Sequence, residues 1–321
     1  MKQELGLVGL GKMGAGLAQN LLEQGWTVHG YNRTHAVAQA MTKDGLVAYE
    51  DVATLIKALP SPKVVWLMLP AGKVVDEFLF GKDGLVHLLK KNDVIIDGGN
   101  SFFEDAKLRA RKLKRYGIRF LDVGTSGGPA GARHGACLMI GGEKSTFLEL
   151  EPLFKALAKD KTAYQFFPGF GAGHFVKMVH NGIEYGMMQA IAEGFAVMQK
   201  SSYKLSLTDI AHIYQNGSVI ESRLVGWMEQ GFHTFSEKLK GVSGSVGYTG
   251  EGEWTVKSAK KLHVPVPVIE TSFKVRVASQ KKPNLVICVL SAMNLRRNLR
   301  LVLAAKRLGI PCVVVIVKCF G

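Results

Sequence analysis

Lys177, His180, Asn181 and Glu184 stand at i, i+3, i+4 and i+7 in a proline-free run. On a helix this spacing stacks all four on one face. Lys177 and Glu184 are proton-transfer groups, and His180 and Asn181 can hold a substrate by hydrogen bonds. Val176, Val179 and Ile183 flank the face, and glycines stand at 171, 173 and 182. A solvated charged stripe would account for Lys177 and Glu184. It accounts less well for the glycines and for the His–Asn pair between the two charges. The face therefore reads as an acid–base array.

A second constellation opens the chain. Gly9-Leu10-Gly11-Lys12-Met13-Gly14 has the form G-x-G-x-x-G, between an apolar run and a helical pattern. In that context Gly9 permits a tight turn, Gly11 lets the backbone approach a pyrophosphate, and Gly14 allows close helix–strand packing. The helix N-terminus then presents N–H groups to phosphate. The next apolar run ends in Asn32-Arg33-Thr34. An NAD site usually has an acid there for the ribose 2′-hydroxyl. Here Arg33 and the Thr34 hydroxyl suit a 2′-phosphate instead, so NADP is expected ahead of NAD. Leu69-Pro70-Ala71-Gly72 follows a third run with residues that suit close approach to a cofactor.

Two further segments fall where open α/β sheets bind ligands, beyond the carboxyl ends of strands. Asp97-Gly98-Gly99-Asn100-Ser101 offers Asn100 as donor and acceptor to substrate or nicotinamide. Thr125-Ser126-Gly127-Gly128 reads as a loop whose N–H groups and hydroxyls suit a carboxylate.

The elements that must carry these residues follow from periodicity. Short aliphatic runs (Leu5–Leu10, Thr27–Tyr31, Val64–Leu69, Val94–Asp97, Arg119–Val123) alternate with helical stretches in the first half. This argues for βαβ units and a mainly parallel sheet. From Ala172 to Lys200 the pattern is helical without interruption, and four more helix-like stretches follow. The expected class is α/β, a Rossmann-type doubly wound sheet followed by an all-helical C-terminal domain. The boundaries read as 1–170 for the cofactor domain, 171–283 for the helical domain and 284–321 for an atypical tail.

Composition narrows the function classes. The 321 residues carry a formal net charge of +15, which suits an anionic partner. Residues 271–321 hold ten Lys and Arg and no acid, leaving 31 bases against 26 acids before them. The body is only mildly basic, and the basic end lacks interleaved aromatics, so nucleic acid is not expected as a partner. No apolar run approaches the roughly 18–20 residues needed to span a bilayer. Four cysteines without zinc-knuckle spacing suggest a reducing, cytoplasmic setting and no metal.

The motifs together resemble the decarboxylating 6-phosphogluconate dehydrogenases, especially their short-chain branch, up to about Pro283. Gly9–Gly14, Asn32-Arg33-Thr34, Asp97–Ser101, Ser126-Gly127-Gly128 and Lys177–Tyr185 stand in that family's order and spacing. Gly247-Tyr248-Thr249-Gly250-Glu251-Gly252-Glu253-Trp254 also looks like the short branch. The resemblance implies that Lys177 is the general base and Glu184 the general acid. It implies that Asn100, Ser126, Gly127, Gly128, His180 and Asn181 hold the sugar acid, and that Tyr185 and Arg276 bind its phosphate. It further implies a homo-oligomer, dimer or tetramer, acting on a sugar-acid phosphate. For such chemistry Lys177 must be neutral to accept a proton, its pKa brought down by burial or a neighbouring charge.

The chain departs from that family near its end. The short branch ends in Arg-x-x-Phe-Gly-x-His, where the arginine and histidine reach the substrate phosphate. That pattern is absent from residues 284–321, which are acid-free and contain the strand-like run Val313–Val317. The coincidence of lost motif and changed composition suggests an altered reading frame from about residue 284. Two alternatives stand beside the main reading. One is a β-hydroxyacid dehydrogenase for a small hydroxyacid or semialdehyde. The other is a cofactor-binding protein whose turnover the tail impairs.

Overall fold

A computed structural model of the chain describes residues 3–239, 242–281, 288–290 and 314–316. The chain divides into two compact units, Met1–Met178 and Val179–Gly321.

The first unit is built on eight strands: β1 (Glu4–Val8), β2 (Thr27–Tyr31), β3 (Val47–Tyr49), β4 (Val64–Leu67), β5 (Val94–Asp97), β6 (Arg119–Ser126), β7 (Cys137–Gly142) and β8 (Tyr164–Pro168). Their order in the sheet is β3-β2-β1-β4-β5-β6-β7-β8. Every pair is parallel except β6 with β7. The order reverses between β1 and β4, whose carboxyl ends carry the Gly9 loop and Leu69-Pro70-Ala71. Ligands of open sheets bind at such a switch point.

Helices cover both faces, as short parallel strands require. On one side lie α1 (Lys12–Glu23), α6 (Gly128–His134) and α7 (Lys144–Leu157), which pack Leu17, Ala132 and Phe154 against Leu5, Leu7 and Trp66. On the other lie α3 (Val52–Ala58), α4 (Lys73–Phe80) and α5 (Phe103–Lys114), which pack Leu55, Leu79 and Ala106 against Val8, Val65 and Leu67. The short α2 (His35–Ala40) follows β2. Neighbouring strand residues thus serve opposite cores, and burying each such side chain contributes about 1.5–3 kcal/mol.

The doubly wound sheet agrees with the sequence reading, with differences of detail. Strands β3, β7 and β8 lie outside the runs read as strands. β3 and β8 are partly exposed, and β3 has only three residues, so neither run length nor alternation marks it. The reading of Thr125-Ser126 as exposed loop is corrected. Pairing with β7 extends β6 to Ser126, and Thr125 is buried with its hydroxyl unpartnered among the described residues.

Helix α8 (Ala172–Lys200) is continuous for 29 residues. The second unit goes on with α9 (Leu207–Gln215), α10 (Arg223–Phe235), α11 (Glu251–Lys261) and α12 (Pro267–Lys281). Its main apolar core joins Met188 and Phe195 of α8 to Ala211 of α9 and to Met228 and Phe232 of α10. No helix among the described residues is long and apolar enough to cross a membrane. The reading-frame expectation for 284–321 lies outside the described residues, apart from β9 (Cys288–Leu290) and β10 (Val314–Ile316), which pair in parallel. The arginines at 296, 297 and 300 lie outside them as well.

Candidate active site

The glycine loop is held by its own backbone. Gly9 has φ +93°, and a Cβ there would lie 2.4 Å from the Met68 carbonyl oxygen. A Cβ on Gly14 would lie 1.9 Å from the Gly9 carbonyl oxygen, so α1 can begin this close to β1 only with glycine. Around Gly11 nothing lies within 4 Å of a built Cβ. The loop is therefore tight toward the protein and open at Gly11, the shape that a pyrophosphate on the backbone requires. Lys12 and Met13 open α1 behind it.

Asn32 braces this loop. Its side-chain oxygen accepts from the Leu10 N–H at 3.0 Å, and its amide nitrogen donates to the Thr34 carbonyl at 3.1 Å. Arg33 and Thr34 are exposed beyond β2. The residues of the loop and of the β2 end fit a dinucleotide.

The segments after β4 and β5 share one support, which the sequence reading missed. Arg109 on α5 is 1 % exposed. Its guanidinium donates to Asp76 at 2.9 Å, to the Gly72 carbonyl at 3.0 Å, to the Ser101 hydroxyl at 3.2 Å and to buried Asp97 at 3.3 Å. It thereby ties Leu69-Pro70-Ala71-Gly72 to Asp97–Ser101, the stretch that carries Asn100. Glycine is required at the junction, because a Cβ on Gly99 would lie 2.6 Å from the Leu69 carbonyl oxygen. An arginine within an amphipathic helix pattern gives no sign of inward aim, so only the contacts identify it.

Gly127, in the left-handed region at φ +116°, links Ser126 at the end of β6 to α6, which Gly128 opens. Helix α6 packs on α1 through Gly16, where a Cβ would lie 3.1 Å from the Ala132 Cβ. The Ser126-Gly127-Gly128 segment is thus carried beside the helix that the glycine loop opens.

Asp122 on β6 fixes the start of α8, and the sequence reading missed it too. Its carboxyl oxygens accept from the N–H groups of Gly171 at 2.7 Å and His174 at 2.9 Å. Burial pushes this carboxyl above the ordinary aspartate range, against the pull of the His174 charge and the two N–H bonds. Lys177 then rests on the sheet, because a Cβ on Gly124 would lie 2.3 Å from the Lys177 Cβ. Lys177 is 4 % exposed.

Further along the same helix, His180 Nδ1 lies 2.9 Å from Asn181 Oδ1 and 3.7 Å from Glu184 Oε2. Lys177, His180, Asn181 and Glu184 are all on α8, at the spacing that puts them on one helix face. Tyr185 and Arg276 are brought together. The guanidinium carbon of Arg276, on α12, lies 3.6 Å from the Tyr185 ring centroid. Both residues are buried, and Arg276 also donates to the Gly247 carbonyl at 3.2 Å. A desolvated guanidinium stacked on an aromatic face is suited to an anionic group. No group of three or more His, Cys, Asp or Glu that could hold a metal occurs among the described residues.

Comparison with known proteins follows this division. Residues 4–167 match the NAD binding domain of 6-phosphogluconate dehydrogenase, and residues 173–294 match the 6-phosphogluconate dehydrogenase C-terminal domain. The NAD(+)-dependent, decarboxylating 6-phosphogluconate dehydrogenase of Haloferax volcanii is 39 % identical over 277 residues, covering 86 % of this chain and 91 % of that protein. The Plasmodium falciparum 6-phosphogluconate dehydrogenase, solved in apo form and with NADP+ or 6-phosphogluconate, has a TM-score of 0.74 at 26 % identity. That likeness covers 94 % of this chain and 70 % of the Plasmodium chain. A Mycobacterium tuberculosis 3-hydroxyisobutyrate dehydrogenase shares the fold, with a TM-score of 0.67 at 20 % identity over 88 % of this chain and 95 % of that one. The chain is an oxidoreductase with a nicotinamide-binding domain, and it belongs to the 6-phosphogluconate dehydrogenase family.

Proposed function

We propose that the chain oxidises and decarboxylates 6-phosphogluconate to ribulose 5-phosphate and carbon dioxide, with NADP preferred to NAD. The observation that carries the phosphorylated substrate is the buried stack of Arg276 on Tyr185, adjacent in sequence to Glu184. A small hydroxyacid offers one anionic group, its carboxylate, whereas 6-phosphogluconate offers a carboxylate and a phosphate, and a buried cation apart from the α8 face suits the second anion. The names of the Haloferax and Plasmodium relatives support the same substrate.

In this reading residues 1–170 bind the cofactor, with Gly9–Gly14, Asn32-Arg33-Thr34, Leu69-Pro70-Ala71 and Asn100 around it. Residues 171–283 hold the substrate and assemble copies into a cytoplasmic homo-oligomer. A bound nicotinamide supplies the hydride acceptor. Lys177 takes the proton of the substrate 3-hydroxyl as C3 is oxidised. A buried lysine carries charge at a cost, which suits a group that must first be neutral. Protonated Lys177 then polarises the new C3 carbonyl while the C1–C2 bond breaks and carbon dioxide leaves. The electron pair passes into an enediol. Lys177, having given its proton to the C3 oxygen, takes it back as Glu184 donates one to the carbon that becomes C1 of the product. Ser126, Gly127, Gly128, His180 and Asn181 orient the sugar acid.

The test is steady-state reduction of NADP and NAD by 6-phosphogluconate, with 3-hydroxyisobutyrate as competitor substrate. The expected result is turnover of 6-phosphogluconate with a higher kcat/KM for NADP. Turnover of 3-hydroxyisobutyrate alone would overturn the substrate. A higher kcat/KM for NAD would overturn the role of Arg33 and Thr34. Cofactor binding without turnover would put the protein in the non-catalytic class.

A further inference from the structure

Glu251 lies outside the acid–base pair and the substrate contacts proposed above, yet it is among the most buried carboxylates of the second unit, at 2 % exposure. It is the first residue of α11, where the N-terminal end of the helix favours a carboxylate. One carboxylate oxygen accepts from the Asn181 side-chain nitrogen at 2.9 Å, and the other accepts from the Thr249 hydroxyl at 2.8 Å. Two glycines let α8 and α11 approach closely enough for this. A Cβ on Gly182 would lie 2.7 Å from Thr255 Cγ2, and one on Gly252 would lie 2.4 Å from Tyr185 Cε2.

The chemistry of these groups fixes a direction along the chain of contacts. A carboxylate only accepts, so the Asn181 amide must turn its NH2 toward Glu251. Its oxygen then faces His180 Nδ1 at 2.9 Å. An amide oxygen also only accepts, so His180 must carry its proton on Nδ1. Glu184 Oε2 lies 3.7 Å from the same nitrogen. The neutral ring is left with its lone pair on Nε2.

We propose that Glu251 is a positioning residue that sets the His180 tautomer through Asn181, so that His180 offers Nε2 as acceptor to a substrate hydroxyl. The tautomer stands on the contacts above, and the hydroxyl contact rests on the proposed function. Without the carboxylate, the Asn181 amide loses the acceptor toward which its NH2 is turned, and both tautomers become accessible.

The test is 15N NMR of the full chain labelled at histidine, at a pH where the ring is neutral. His180 is identified by the resonances lost in His180→Gln. The expected result is Nδ1–H in the parent protein and a shift toward Nε2–H in Glu251→Met. Nε2–H in the parent, or an unchanged tautomer in folded Glu251→Met, would overturn the proposal. If Glu251→Met does not fold, Asn181→Ala removes the link with Glu251 in place, and an unchanged tautomer there overturns it equally. In turnover of 6-phosphogluconate, Glu251→Met is expected to raise KM about ten-fold, one hydrogen bond's worth, with kcat less affected. A changed tautomer with unchanged KM would overturn the hydroxyl contact. Absence of 6-phosphogluconate turnover in the parent protein would defeat the substrate assignment and leave the tautomer result standing.

Discussion

The glycine loop and the α8 face are held in different ways. The loop is shaped by backbone. Gly9 and Gly14 are forced by clashes with the Met68 and Gly9 carbonyls, and one side chain, Asn32, braces the turn. The α8 face consists of aimed side chains, and its supports come from elsewhere in the sequence. Asp122 and Gly124 of β6 set the start of the helix under Lys177, and Glu251 of α11 holds Asn181. A backbone shape can be encoded by glycines in one short stretch. An aimed side chain needs a counter-group, which only folding brings near.

The strongest way to break this contrast is Lys177→Met. If the two regions are separate in function, kcat falls by about 10²–10⁴, the usual contribution of a general base, while NADP affinity holds. Stopped turnover with an unchanged binding titration is the expected pair of results. A matching loss of NADP affinity would show the regions to be one.

Arg109→Met attacks the support shared by the two strand-end segments. It leaves Asp97 buried without its cation, at a cost of about 3–5 kcal/mol. Urea unfolding should show this loss, and a change below about 1 kcal/mol would mean that Arg109 is not the brace.

Gly14→Ala tests the backbone side of the contrast. Its Cβ meets a main-chain oxygen, which cannot rotate away, so a loss of about 1–3 kcal/mol is expected. The KM for cofactor should rise, while kcat at saturating cofactor stays near the parent value. A fall in kcat alone would count against the loop's role.

Asp122→Asn tests the side-chain supports and carries a pH signature. An amide cannot accept from both the Gly171 and His174 N–H groups, so a cost of about 1–3 kcal/mol is expected. Burial raises the Asp122 carboxyl in the folded state. Such a group favours folding below its unfolded value, and that contribution is lost as pH rises through the folded value. The stability gap between parent and Asp122→Asn should therefore be widest in acid. It should narrow as pH rises from the ordinary aspartate range through the raised one. Urea unfolding across pH reads it, and a gap that widens would refute the assignment.

Much of the fold was legible because it repeats locally. Helix α8 agrees with its sequence reading end to end, since 29 residues without proline leave no other period. Strands β2 and β5 agree too, being short apolar runs closed by polar residues. Strand β3 was not legible, because its three half-exposed residues acquire strand geometry only by pairing with β2. Thr125 was misread for a related reason: the antiparallel partner β7 extends β6 beyond its apolar run.

By itself the sequence determined the glycine loop, the alternation of strands and helices, and the helical register that puts Lys177, His180, Asn181 and Glu184 on one face. These are consequences of steric rules and periods that act over a few residues. Tertiary structure alone decided that Asp122 holds the start of that helix, that Arg109 joins two strand ends, that Arg276 stacks on Tyr185, and that Glu251 reaches Asn181. Each of these pairs a buried polar group with a partner far along the chain. Burial makes such a partner necessary, but the choice among many candidates is made only when the chain has folded.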